Sequence, residues 1–127
     1  MTFKFDASMQ LIVVEVRIVG PERDTITHLA LDTGASSTVI GWDVLDVAGY
    51  KPADAIGQVE MTTGSSIQLV PKIKLKRLDA LGKHRRGLEI VAHSLPKGAS
   101  VDGLLGLDFF RKTRLTIDFR KYTLRLD

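Results

Sequence analysis

Apolar and polar positions along the chain alternate with the period of strands far more often than with that of helices. Gln10 to Val19 is rich in Val and Ile and ends at Gly20-Pro21, a turn signal with polar Glu22-Arg23-Asp24 behind it. Thr25 to Leu31 resumes the strand pattern, so the two segments predict a hairpin with a loop of about five residues. After Val39-Ile40 the period changes. Trp42, Leu45 and Gly49 fall at helical spacing, with Val44 and Val47 nearby. Gly49 suits the left-handed position just past a helix end, and Pro52 follows. This predicts a short helix from Gly41 to Ala48.

Ile56 to Met61 and Ile67 to Leu75 read as strands around Thr62-Thr63-Gly64-Ser65-Ser66, a second hairpin with a small, polar tip. Leu78 to Gly82 closes that region, and Gly87 to Ala92 is a further strand. Leu95-Pro96-Lys97-Gly98 is a turn, and Leu104 to Leu107 is apolar beside Gly103 and Gly106. Phe109 to Arg114 has room for one or two helical turns. Leu115 to Phe119 and Tyr122 to Leu126 alternate and are joined at Arg120-Lys121. The expectation is a mainly β chain with one or two short helices, its strands spaced as in a barrel or sandwich.

Length and composition narrow this further. At 127 residues and 44% hydrophobic, residues 1–127 are expected to form one domain with a real core. No apolar run approaches the ~20 residues of a membrane span. MTFKFDASMQ lacks the basic start and apolar run of a signal peptide. With no cysteine, disulfide and thiol chemistry drop out. A cytoplasmic setting, with no membrane partner, is the expectation.

The formal charge is +3, and much of the excess lies at Lys72, Lys74, Lys76, Arg77, Lys83, Arg85 and Arg86. A nucleic-acid surface is one reading. A solvated strand face is the better one, because the lysines alternate with Ile73 and Leu75 and no aromatics interleave to stack bases. No nucleic-acid partner is therefore expected. His28, His84 and His93 lack metal-ligand spacing. Asp43 and Asp46, three apart on the expected helix, read as solvation of the helix before they read as a cation site. Trp42 and Phe109-Phe110 read as core. No phosphate-binding loop or nucleotide fingerprint is present, so neither metal nor cofactor is expected.

One carboxylate stands out. In LALDTGASSTVI, Leu29 to Ile40, an apolar run delivers the chain to Asp32, and Val39-Ile40 closes the loop apolar again. A carboxylate between apolar segments is costly unless hydrogen-bonded or paired. An Asp that merely turns the chain through its own backbone is the plain alternative for an isolated Asp-Thr-Gly. Three features favour chemistry: apolar flanks that point to a buried loop, a polar hairpin tip suited to a mobile cover, and VDGLLGLDFF far downstream, Val101 to Phe110.

LALDTGASSTVI resembles the active-site loop of aspartic proteases. VDGLLGLDFF resembles the second signature of their single-domain, retroviral-type members. The order also agrees, from active-site loop through flap hairpin and Leu-Leu-Gly to helix and final strand, over nearly the whole span from Gln10 to Leu126. The bacterial retropepsin-like members fit best, because the compact retroviral enzymes lack a helix at Gly41 to Ala48. The resemblance implies a closed acid-protease-type β-barrel of a single lobe. Asp32 would be the catalytic aspartate. Thr33 would hydrogen-bond across two copies of the loop, and Gly34 would bring its backbone close to substrate. Ala35 and Ser36 would line the cleft, Leu104-Leu105-Gly106 would pack behind the loop, and Thr62, Thr63, Gly64, Ser65 and Ser66 would form the flap tip.

There are departures. Retroviral enzymes carry an Asp directly after Asp-Thr-Gly-Ala, paired with an Arg just after the later Gly; here those positions are Ser36 and Leu107. The flap tip has one Gly where the retroviral flap is Gly-rich, and RKYTLRLD runs beyond the retroviral chain end. The chain has a single Asp-Thr-Gly, and Asp102-Gly103 and Asp108-Phe109 are not second copies. Hydrolysis of this type needs two facing carboxylates, so the resemblance implies a homodimer acting on an extended peptide or unfolded protein. The rival expectation is the same fold serving as a peptide-binding or dimerisation module without catalysis.

Overall fold

The computed structural model describes residues 1–127, apart from the side chain of Thr63. Strand makes up 46% and helix 11% of the chain, in a curled sheet that forms a half-barrel of a single lobe. The strands are β1 (Thr2–Lys4), β2 (Val13–Val19), β3 (Asp24–Leu31), β4 (Val39–Ile40), β5 (Gly57–Thr63), β6 (Ser66–Lys74), β7 (Arg77–Ala80), β8 (Lys83–Arg86), β9 (Glu89–Ala92), β10 (Gly103–Leu105), β11 (Leu115–Asp118) and β12 (Thr123–Leu126). Helix α1 spans Trp42–Ala48 and α2 spans Leu107–Phe110. Nine strands form one sheet in the order β5-β6-β9-β4-β10-β3-β2-β7-β8, and β1-β12-β11 form a second.

Locally strong patterns became the elements they predicted. The β2–β3 hairpin keeps one register from Val13↔Ala30 to Val19↔Asp24. Helix α1 stops where Gly49 takes φ +101°, and the amides of Gly49 and Tyr50 turn back to the carbonyls of Asp46 and Leu45. A left-handed residue costs glycine nothing, so the chain can reverse there at once. Asp43 and Asp46 are both exposed, and Asp46 pairs with Lys51 at 2.7 Å, as solvation of the helix requires.

Other elements differ from the expectation. Strand β1 was not signalled; its three residues become a strand only by pairing with β12. Leu78 to Gly82 does not close its region. It enters a β7–β8 hairpin that turns at Leu81 and Gly82, both with positive φ (51° and 75°). A leucine in that conformation is uncommon, so the turn carries no sequence signature. Helix α2 starts at Leu107, two residues before the expected Phe109.

The curled sheet has two apolar faces. Ile18, Leu29, Ile40, Leu45, Leu78, Ile90, Leu105 and Phe109 are fully buried in the main core. On the other face Val39, Val70 and Val91 make a second cluster with Val59, Met61 and Leu104 packed against it. The period-two alternation of β4, β9 and β10 creates both faces, since neighbouring residues point to opposite sides. Phe110 stacks on Phe109 with ring centroids 5.1 Å apart, and Trp42 packs half-buried against the main core.

Tyr50 ties three segments together. Its buried hydroxyl donates to the Val19 carbonyl at 2.7 Å and accepts the Lys76 amide at 2.9 Å. Tyr50→Phe is expected to lower stability by about 1–3 kcal/mol, because the Lys76 N–H and the Val19 carbonyl lose their partner without gaining water. A shift in the urea midpoint with an unchanged slope would report it.

Candidate active site

The loop from Asp32 to Thr38 leaves the end of β3 and is threaded by β10. Strand β10 pairs parallel with β3 (Leu104↔Ala30, Leu105↔Leu31) and antiparallel with β4 (Gly103↔Ile40, Leu104↔Val39). It therefore fills the gap that the loop opens between its own two flanks. The Asp32 amide donates to the Leu105 carbonyl at 3.0 Å, and the Ala35 amide donates to the Asp32 carbonyl at 3.1 Å. The Gly34 amide donates to Asp32 Oδ1 at 2.9 Å. A Cβ at Gly34 would lie only 3.1 Å from that same oxygen, so glycine is what lets this amide approach the carboxylate.

The flanks of the loop are buried, as their apolar residues require, but the loop itself is not. Leu29, Ala30, Val39 and Ile40 are core. Asp32 and Ala35 are half-buried, and Thr33, Gly34 and Ser36 are exposed. The expectation of a buried loop thus holds for its stems, while the Asp-Thr-Gly crest faces outward.

What holds the crest in place was not legible as a function beforehand. Asp108, at the start of α2, accepts the Thr38 amide with both carboxylate oxygens (3.0 and 2.9 Å) and the Thr38 hydroxyl with Oδ1 (2.7 Å). The same hydroxyl oxygen accepts the Gly106 amide at 3.1 Å, and Thr38 is fully buried. The Leu107 amide donates to the Ala35 carbonyl at 2.8 Å. A side chain at Gly106 would collide with the backbone of Ala35 and Ser37. Where the retroviral pattern would place an ion pair at Ser36 and Leu107, the link between loop and helix is thus a backbone bond plus the Asp108–Thr38 clamp. Asp102 does a similar job upstream, accepting the Thr27 hydroxyl at 2.7 Å. A signal for Asp108 existed, a carboxylate in the otherwise apolar run LLGLDFF, but its partner lies 70 residues away.

Arg85 secures the base of this unit. Its guanidinium donates to the carbonyls of Phe109 (2.9 Å) and Arg111 (3.0 Å) and lies 5.4 Å from the centre of the Phe109 ring. The basic run around it is dispersed rather than pooled. Lys72 pairs with Glu89 at 3.0 Å. Arg77 and His84 both reach Asp79. Burial works to raise the Asp79 carboxyl, but those two partners outweigh it and hold it below its ordinary value.

The β5–β6 hairpin covers the second apolar face. At the tip its first strand runs two residues further than expected and its second begins one residue earlier, to Thr63↔Ser66, so Gly64 and Ser65 alone make the turn, with Gly64 at φ +61°. Beneath it a cleft of about 590 Å³ is lined by Gly34, Ala35, Ser36 and Ser37 of the loop, Val59, Glu60, Met61 and Thr62 of the hairpin, and Val39, Val91 and Leu104 of the sheet. Ala35, Ser36 and Thr62, expected at substrate, all line it. Gly64 and Ser65 lie at the tip of the hairpin. The side chain of Thr63 is outside the described residues. Val39, Val59, Met61 and Val91 had read only as strand residues. Their place in the cleft follows from sheet pairings that join distant segments.

A single lobe in which an Asp-Thr-Gly loop is threaded by Leu-Leu-Gly and overhung by a hairpin defines the retropepsin-like class. The chain belongs to the aspartyl protease family, whose model matches residues 14–109, from β2 into α2. Among solved structures it is similar to a retropepsin-like aspartic protease from Rickettsia conorii, with a TM-score of 0.73 over 99% of this chain and 88% of that one. Identity is 15%, so this likeness speaks for the fold alone. Comparison with curated protein sequences finds no match.

Proposed function

We propose that this chain is an aspartic endopeptidase that becomes competent as a homodimer, with Asp32 of each copy facing the other. The observation that carries the reading is Asp32 itself. It is half-exposed on a crest fixed by the Leu105 carbonyl and the Gly34 amide, beside an apolar cleft roofed by a hairpin. In the dimer the two carboxylates share one proton, since like charges so close cannot both ionise. The ionised one takes a proton from a water molecule as it attacks the scissile carbonyl. The protonated one donates to the carbonyl oxygen. Thr33 joins the two crests. Gly34 lets an extended peptide pass close, and Ala35, Ser36, Thr62, Thr63, Gly64 and Ser65 contact it. The hairpin adds the peptide to its edge as a strand and keeps water out. Peptide side chains settle on the apolar bed of Val39, Val59, Met61, Val91 and Leu104.

Cleavage of an unfolded protein or a peptide library, followed by mass spectrometry with and without a pepstatin-type inhibitor, tests this directly. Because the carboxylates titrate as a coupled pair, kcat/KM is expected to be bell-shaped in pH with its maximum on the acidic side of neutral. A rate that rises steadily toward alkaline pH would point to another base. Saturable binding of peptides without cleavage at any pH would leave a peptide-binding module of the same fold.

A further inference from the structure

The Asp32 crest is bordered by apolar side chains that the folded chain leaves open to solvent. Leu11 is 46% exposed and Leu107 is 44% exposed. Each is tied to the crest. The Leu31 amide donates to the Ile12 carbonyl at 2.8 Å, so Leu11 adjoins the bonded partner of the residue that precedes Asp32. On the other side the Leu107 amide is bonded to the Ala35 carbonyl. Two exposed leucines therefore flank one catalytic loop, and Leu107 stands where a retroviral chain would carry an arginine. The last strand offers a second copy no free edge. Strand β12 is central in its sheet, with β1 on one edge and β11 on the other, so its backbone groups are already paired within the chain.

We infer that Leu11 and Leu107 form an apolar seam against the second copy of this chain, one that buries the borders of the Asp32 crest and brings the two carboxylates together. The inference rests on the dimeric reading of Asp32 above. An isologous interface places every group near its axis twice. An axis passing beside Asp32 thus brings four leucines into one continuous strip around the paired crests. Burying them excludes water from the margin of the site. A charge at either position would be buried twice, against its own copy or an apolar neighbour, at heavy cost.

The test uses the full chain and the variants Leu11→Glu and Leu107→Glu, with Val47→Glu on the exposed side of α1 as control. Val47 is 49% exposed and does not line the cleft beneath the hairpin. Sedimentation equilibrium and peptide cleavage are measured over a range of protein concentrations, with circular dichroism to check the fold. The seam predicts self-association weakened roughly thirtyfold or more by either leucine variant, the size of a central contact. Activity per chain should fall in step and return as concentration rises, which a misfolded variant would not do. Val47→Glu should match the parent. If both leucine variants dimerise and cleave like the parent, the seam is wrong while the Asp32 dimer stands. If the parent is monomeric and inactive at every concentration, the dimeric reading fails and the seam with it.

Discussion

Asp32→Asn is expected to abolish cleavage while leaving the chain folded and able to dimerise. Asparagine keeps the size of the side chain and an oxygen able to accept the Gly34 amide, which lies 2.9 Å from Asp32 Oδ1. The crest is also held by backbone bonds from Asp32 to Leu105 and from Ala35 to Asp32, which the substitution does not touch. Both proton-transfer roles vanish together, because each copy loses its carboxylate. One such role is worth about 10²–10⁴ in rate, so a loss of at least about 10³-fold is expected. Dimerisation should be unchanged or tighter, since two like charges no longer have to share one proton. Sedimentation would read the association and a fluorogenic peptide the rate. Turnover within tenfold of the parent would remove Asp32 from the mechanism.

Asp108→Ala is expected to have the largest effect on stability among substitutions outside the apolar core. It strips two partners from a fully buried residue, the Thr38 amide and the Thr38 hydroxyl. Each orphaned donor costs about 1–3 kcal/mol, so a loss of about 2–6 kcal/mol follows. Near this chain length that corresponds to a Tm lower by roughly 10–20 °C. Activity should fall too, because the clamp sets where the crest lies relative to the cleft, and misplacement of about 1 Å can cost about 10²-fold. Asp108 touches neither substrate nor reacting atoms in the proposed mechanism and is a positioning residue. Asp108→Asn, which retains an acceptor, should recover much of the stability. Thr38→Val should be strongly non-additive with Asp108→Ala, because both break the same network. Additive losses in that double-mutant cycle would contradict the clamp.

The pattern of the chain was most informative where structure is local. The β2–β3 hairpin, the stop of α1 at Gly49, the β5–β6 hairpin and the final β11–β12 hairpin all lie within short stretches whose period and turn residues agree. Strand β1 and the β7–β8 hairpin gave little warning. The first is too short to carry a period, and the second turns on Leu81-Gly82 rather than on an Asn-Gly or Asp-Gly pair. The four residues of α2 complete only one turn, too little for a helical period to place the start at Leu107 rather than Phe109.

The sequence alone determined that a carboxylate would sit at the end of an apolar strand, in an Asp-Thr-Gly loop followed by a polar-tipped hairpin and a distant Leu-Leu-Gly. Those are statements about neighbours along the chain, and local geometry enforces them. Only the tertiary structure decided that β10 threads that loop, that Asp108 reaches back to Thr38, that the crest faces outward, and that Val39, Val59, Met61, Val91 and Leu104 share a face beneath the hairpin. Each of these joins segments far apart in the chain, so each depends on sheet order and burial, which no short window of residues encodes.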